Sequence, residues 1–154
     1  MDAAVETALV AVAQAMRAAV APWWIVGSAA VVLLGGETAV ADIDLLTDER
    51  DGRALASRLG VPLAASDAHP HFRSKVFARW QRSDRDVEIM GGLMLAEGWG
   101  WTALVPATRV AVAVGGETLF VPARDEMIAI LGRFGRDKDR VRARLLARCT
   151  GAPG

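Results

Sequence analysis

The sequence predicts an α/β (α+β) fold in which a mixed central β-sheet is flanked by helices. Three observations lead to this class. Short apolar or alternating segments, typical of strands, occur between segments with the periodicity of amphipathic helices. Gly and Pro residues separate these segments. The composition, 53% hydrophobic and 23% charged residues, is that of a folded globular protein, and 154 residues suffice for one hydrophobic core. We therefore expect a single domain over residues 1–154.

The charge balance and the cysteine content narrow the class of protein further. Lys and Arg number 18, as do Asp and Glu, which argues against a polyanion-binding protein held by overall positive charge. The single cysteine, Cys149, rules out an intrachain disulfide and a cysteine-based metal cluster. Asp2 and Glu6 stand where a signal peptide would carry basic residues. The sequence thus favours a protein of the cytoplasm.

The first elements are a helix, a buried strand and a second helix. Apolar residues at helical spacing predict a helix over residues 3–20, which Pro22 ends. The apolar run at 23–26 predicts a strand, Gly27-Ser28 a tight turn, and residues 29–34 a short helix.

Residues 18–36 contain no charged side chain over 19 positions, a length that could span a bilayer. Pro22, Gly27, Ser28 and the pair at 35–36 interrupt this stretch. A strand followed by a helix is therefore the better interpretation, and we expect no membrane partner.

The next elements alternate in the same way. Strict alternation predicts a strand over 41–46, and a helix follows over 48–59, with Asp48 as its N-cap and Gly60 after its end. A loop over 61–71 then leads to a strand over 72–80.

The remaining chain predicts strands followed by helices. Residues 81–85 form a polar turn into an alternating strand at 86–90, and residues 91–104 are expected to be irregular. A hairpin covers 109–121, with its turn at Gly115-Gly116. Two helices end the chain. The first begins at Pro122 and runs to about 131, and the second covers roughly 136–148.

Two local patterns carry candidate chemistry. Gly27-Ser28 precedes a helix, an arrangement that suits a phosphate but that also occurs as an ordinary helix cap. Asp42 and Asp44 lie two residues apart on a strand, so both side chains point to one face, about 7 Å apart. If the 86–90 strand lies beside them, Glu88 or Asp86 joins the cluster. Neighbouring carboxylates are tolerated when they bind a cation, and short acids favour Mg²⁺.

Together these residues resemble the DNA polymerase beta-like nucleotidyltransferase superfamily, and most of all its small single-domain bacterial members of the minimal, antibiotic-modifying and toxin types. The matching residues are Val26-Gly27-Ser28, then Asp42-Ile43-Asp44-Leu45, and later Val87-Glu88-Ile89. The run Arg136-Asp137-Lys138-Asp139 is similar to an Arg-x-Lys-Asp run near the end of many such proteins.

The resemblance implies a nucleotidyltransferase fold and a specific set of roles. Asp42, Asp44 and Glu88 would be the catalytic acids and would hold two Mg²⁺ ions, with Asp86 as the alternative third acid. Gly27, Ser28, Arg136 and Lys138 would bind the nucleoside triphosphate. An acceptor hydroxyl would attack the α-phosphorus and displace pyrophosphate. The implied function is transfer of a nucleoside monophosphate from ATP or another NTP onto a small molecule, a protein or an RNA.

A rival hypothesis keeps this fold as an inactive binding or antitoxin-type module, with a second copy of the chain or a small helical protein as partner. Trp99 and Trp101 motivate it, since they could form a surface for a base, an antibiotic or a partner. His69 and His71 are interpreted as exposed loop residues rather than metal ligands, because no third ligand lies at zinc-like spacing. The arginines of the last helix are either a phosphate-binding surface or a solvated helix face.

Overall fold

The computed structural model of the protein describes residues 1–64 and 69–149. Its first helix, α1 (Ala3–Ala15), is capped by Asp2 and continues into one 3₁₀ turn, Met16–Ala18. The predicted helix over 3–20 is therefore shorter than expected, because the backbone is already extended at Ala19, before Pro22.

The central sheet begins with two antiparallel strands separated by a short helix. Strand β1 (Trp24–Val26) leads directly into α2 (Gly27–Leu33), and β2 (Asp42–Thr47) returns alongside β1. The turn predicted at Gly27-Ser28 is instead the first part of α2, because Gly27, at φ +69°, turns the chain abruptly out of β1.

Helix α3 (Glu49–Leu59) begins and ends as the sequence predicts, with the Asp48 side chain accepting from the Asp51 amide and Gly60 in the left-handed conformation. Strand β3 (Phe72–Trp80) and the start of β4 (Asp86–Glu97) also match. Between them lies the predicted polar turn.

The prediction of an irregular segment over residues 91–104 is wrong. Strand β4 runs on to Glu97 and forms a hairpin with β5 (Gly100–Ala103). The adjacent glycines at 91–92 suggested a break, but Gly91 serves close packing, since a Cβ there would lie 2.8 Å from the Asp48 carbonyl oxygen. The alternation of buried and partly exposed residues simply continues through the glycines.

The last elements are a hairpin and two helices. Strands β6 (Val110–Val114) and β7 (Glu117–Val121) pair around Gly115-Gly116 as predicted. Helix α4 (Arg124–Phe134) starts two residues after Pro122 and ends later than expected, and α5 (Asp137–Arg148) matches the last predicted helix.

The sheet order β1-β2-β4-β3 brings the two acidic strands together. Strands β2 and β4 are parallel neighbours, whereas β1 and β3 run antiparallel to them on the two sides. One hydrophobic cluster extends from Val5 on α1 to Leu146 on α5 and includes the inward faces of β2 and β4. This confirms the mixed sheet flanked by helices.

The apolar stretch over 18–36 is folded as β1 and α2 with flanking turns. Within residues 1–64 and 69–149, every helix is too short or too polar to cross a membrane.

Asp51 ties the segment after α1 to helix α3. Its carboxylate, 4% exposed, accepts hydrogen bonds from the amides of Val20 (3.1 Å) and Ala21 (2.8 Å). We expect Asp51→Ala to lower the free energy of unfolding by about 2 kcal/mol or more, because it leaves these amides without an acceptor. Urea denaturation measures this.

The matched control is Asp137→Ala, which removes a fully exposed carboxylate paired with Arg140 and should change the free energy of unfolding far less. Equal effects of the two substitutions would contradict the role of Asp51.

Candidate active site

Four carboxylates lie on one face of the sheet where β2 and β4 start. The parallel register places Asp42 opposite Asp86 and Asp44 opposite Glu88. Ile43, Val87 and Ile89 alternate with them and are fully buried on the other face. The hydrophobic side of each strand therefore fixes the direction of the acids, as the sequence alternation predicts.

Of the neighbouring acids, Glu88 acts most strongly on Asp44. Burial, the neighbouring Glu88 carboxylate and, to a smaller extent, Asp42 raise the pKa of Asp44 to about 8, against which Arg136 acts weakly. The Glu88 carboxyl is also near enough to share a hydrogen bond with Asp44 when one of them is protonated. Two acids in this relation gain from a proton or a cation between them.

Gly27 lies against this pair. Strand pairing sets Val26 opposite Asp44, so the next residue, Gly27, packs directly on the aspartate. A Cβ on Gly27 would lie 2.3 Å from the Asp44 Oδ2 atom. Only glycine therefore allows the α2 backbone to approach the carboxylate this closely. Ser28 follows in the first turn of α2 and is 5% exposed.

Arg79 on β3 contacts three of the four acids. Its guanidinium lies 2.6 Å from the Glu88 Oε1 atom, 3.7 Å from Asp42 Oδ1 and 3.8 Å from Asp86 Oδ2. Arg79 was not among the candidate residues predicted from the sequence. The sequence does show an arginine on the strand that precedes the acidic strand β4. Which residue of β4 this arginine faces, however, depends on the register between β3 and β4.

A cleft of about 260 Å³ opens beside the acids, near the lower end of the volumes typical of small-ligand pockets. Asp44 and Glu88 form one wall together with Arg79 and Arg136. Its apolar lining comes mainly from β3, β4 and α4, and comprises Val26, Phe72, Phe77, Met90, Leu93 and Phe134. Such a surface suits a ligand that joins an apolar ring to anionic groups.

Arg136 reaches the cleft from the start of α5 because Asp139 holds it. The Asp139 carboxylate is fully buried and accepts from the Arg136 Nε at 2.6 Å and from its terminal nitrogen at 3.1 Å. The guanidinium also lies over the ring of Phe72, 5.1 Å from its centre. Lys138, by contrast, is exposed and is absent from the described lining of the cleft. Asp139 thus fixes the direction of Arg136, a role that was not predicted for it from the sequence.

The remaining candidates lie around this cleft or away from it. His69 and His71 are exposed, as predicted, and His69 contributes to the cleft wall. Trp99 is fully exposed at the β4–β5 turn, whereas the ring of Trp101 is covered by Arg73 at 4.3 Å. The two tryptophans thus lie in different environments, and the structure does not show a shared stacking surface for them.

The oxygen donors of this face suit a hard divalent cation. Within the described residues, no group of three or more His, Cys, Asp or Glu side chains is arranged to hold a metal ion by itself. Mg²⁺ usually binds through one or two carboxylates and completes its shell with water and substrate phosphates. The Asp44–Glu88 pair meets that requirement, and the three-acid set with Asp42 stays a prediction.

Known proteins with a similar sequence or structure identify this fold. Residues 8–69, less than half of the chain, match the family model of aminoglycoside-2''-adenylyltransferase. The solved structure of TM1012 from Thermotoga maritima, provisionally named a nucleotidyltransferase, is 21% identical, with a TM-score of 0.73 over 90% of this chain and 89% of that one. The chain has the nucleotidyltransferase fold.

Two antibiotic-modifying enzymes share the nucleotidyltransferase fold with this chain. The lincosamide adenylyltransferase LnuA, solved with lincomycin, is 12% identical, with a TM-score of 0.61 over 97% of this chain and 99% of that one. ANT(2'')-Ia, solved with adenylyl-2''-tobramycin, is 15% identical, with a TM-score of 0.60 over 95% and 89%. A comparison with curated proteins found no match to the sequence. These likenesses confirm the resemblance and the fold predicted from Gly27, Asp42 and Asp44.

Proposed function

We propose that the protein is a nucleotidyltransferase of the cytoplasm that moves a nucleoside monophosphate from a nucleoside triphosphate onto an acceptor hydroxyl, releasing pyrophosphate. The observation that carries this proposal is the packing of Gly27 on Asp44, which lies in register with Glu88 on the neighbouring parallel strand. An ordinary structural domain gains nothing from placing two carboxylates side by side at a cost in electrostatic energy.

The residues divide into two groups with different tasks. Asp42, Asp44 and Glu88 would hold Mg²⁺, which supplies charge neutralisation at the α-phosphate and at the leaving pyrophosphate. Two ions are the expected number. Glu88, which lines the cleft, would accept the proton of the acceptor hydroxyl, with Asp86 as the alternative.

The basic and apolar groups of the cleft would orient the nucleotide. Arg136, held by Asp139, offers a guanidinium to the phosphates, and Phe72 and Phe134 offer ring surfaces next to it. Gly27 and Ser28, at the start of α2, would contact the phosphates through their backbone. Lys138 keeps its proposed role only if it turns toward the cleft from its exposed position.

ATP and a small-molecule hydroxyl are the donor and acceptor to test first, because the fold neighbours with bound antibiotics are adenylyltransferases. Labelled ATP, GTP, CTP and UTP should be incubated with the protein, Mg²⁺ and separate pools of small molecules, RNA and protein. Lincomycin and tobramycin serve as defined acceptors. Labelled product and released pyrophosphate are measured.

We expect Glu88→Gln to lower product formation at least a hundredfold, since it removes a carboxylate from the reacting centre. The control is Glu97→Gln at the far end of the same strand, where the side chain pairs with Arg133, and it should retain wild-type activity. Product that forms equally in both variants would contradict the catalytic role of Glu88. No product in any wild-type reaction would favour the rival hypothesis of an inactive binding or antitoxin-type module.

A further inference from the structure

The guanidinium of Arg79 lies among three carboxylates, at a position that a bound cation could take. These carboxylates belong to Asp42, Asp86 and Glu88. Arg79 projects from β3 opposite Glu88, and its guanidinium spans from β4 to Asp42 on β2. Three carboxylates from two strands thus share the one permanent positive charge of this guanidinium. Such a distribution is what a cation-binding face needs in order to remain folded while no divalent ion is bound.

The Arg79 side chain is also free to leave this position. It is 40% exposed, and it forms part of the cleft wall rather than of the hydrophobic core. Its partners Asp42, Asp86 and Glu88 are 40%, 30% and 23% exposed, so solvent screens the attraction. Rotation of the side chain into the cleft would therefore break ion pairs without opening a packed region.

A guanidinium released into this cleft would meet the phosphates of a nucleotide bound there. Its planar donors fit phosphate oxygens as well as they fit carboxylates. We propose that Arg79 is an internal counter-ion that competes with divalent metal for Glu88 and Asp42, and that it transfers to the phosphates when the metal–nucleotide complex binds. The proposal rests on the proposed function, because it needs that ligand.

The consequence is coupling between metal binding and nucleotide binding. Metal alone must displace Arg79 and leave its charge unpaired, so it binds weakly. Metal together with nucleotide gives the guanidinium a new partner, so each ligand strengthens the binding of the other. The site would then hold metal much more tightly when the donor nucleotide is present.

Manganese binding tests this inference without a catalytic readout. Calorimetry should follow Mn²⁺ alone, and then Mn²⁺ in the presence of α,β-methylene-ATP, which the enzyme cannot cleave. We expect Arg79→Gln to bind Mn²⁺ alone at least tenfold more tightly than wild type, since a positive charge close to the ion is removed. We also expect the enhancement by the analogue to shrink at least fivefold.

Two further variants make the result interpretable. Arg82→Gln removes the same charge from the following turn, where the side chain pairs with Asp84 at 2.8 Å, and should bind Mn²⁺ as wild type does. Arg79→Lys keeps the positive charge that repels the ion, and should stay within about threefold of wild type for Mn²⁺ alone. Circular dichroism confirms that each variant is folded.

The outcomes separate this inference from the proposed function. Equal Mn²⁺ affinity of wild type and Arg79→Gln, or the same gain in Arg82→Gln, overturns the counter-ion role. Absence of Mn²⁺ binding in every variant, both with and without the analogue, overturns both proposals. A tighter Arg79→Gln variant in a protein that transfers no nucleotide supports the counter-ion and removes only the catalytic proposal.

Discussion

Gly27→Ala is expected to lower nucleotidyl transfer at least a hundredfold. The new Cβ would lie 2.3 Å from the Asp44 Oδ2 atom, well inside van der Waals contact, so either α2 or the carboxylate must move. Displacement of about 1 Å in a group that positions the reacting atoms is enough for such a loss. The backbone at φ +69° adds a cost of about 1 kcal/mol to the free energy of folding.

The chain contains a matched control for this backbone cost. Gly60 ends α3 at φ +67°, almost the same angle, and a Cβ there would meet no atom within 4 Å. Gly60→Ala should therefore lose a similar amount of stability from backbone strain and keep its activity. Initial rates of pyrophosphate release, read beside urea denaturation, distinguish the two. Equal activity of the two variants would contradict the packing argument.

Asp44→Asn is expected to lower transfer activity about a thousandfold and at the same time to stabilise the metal-free protein. Burial and the Glu88 carboxylate raise the pKa of Asp44 to about 8 from an ordinary value of 3.8. The folded state therefore holds the proton more tightly than the unfolded state does. The stability gained in this way is complete below about pH 4 and is lost as the pH rises toward 8.

Asparagine cannot ionise, so the variant should lack this decline. In the presence of EDTA at pH 8 we expect its melting temperature to exceed that of wild type by about 3 °C or more, the effect of about 1 kcal/mol in a domain of this size. Transfer activity should fall about a thousandfold, as expected when several kcal/mol of charge stabilisation are removed. Thermal melts from pH 4 to 8 and rate assays measure both effects.

The control is Asp125→Asn on α4, an exposed carboxylate away from the cleft, which should leave both the pH slope and the activity as in wild type. If Asp44→Asn loses stability with rising pH as steeply as wild type does, the titrating group is another one, and the electrostatic description of the Asp44–Glu88 pair is wrong.

The local sequence pattern was sufficient to predict which face of a strand each side chain occupies. Alternation around Ile43 determines that Asp42 and Asp44 share a side, because consecutive strand residues point in opposite directions. The bounds of α3 followed from Asp48 and Gly60 for a similarly local reason. Strand β4 was cut short in the prediction, since the role of Gly91 lies in its contact with a distant backbone carbonyl.

From the sequence alone it follows which residues carry charge and which face of its own element each one occupies. The order of the strands and their register were decided only in the tertiary structure, because hydrogen bonds between distant segments set them. This is why Glu88 could be proposed but not placed beside Asp44, and why Arg79 was not assigned among the acids. The pairing of Asp139 with Arg136 is local to the start of α5, at i,i+3, but the direction of Arg136 into the cleft depends on how that helix packs.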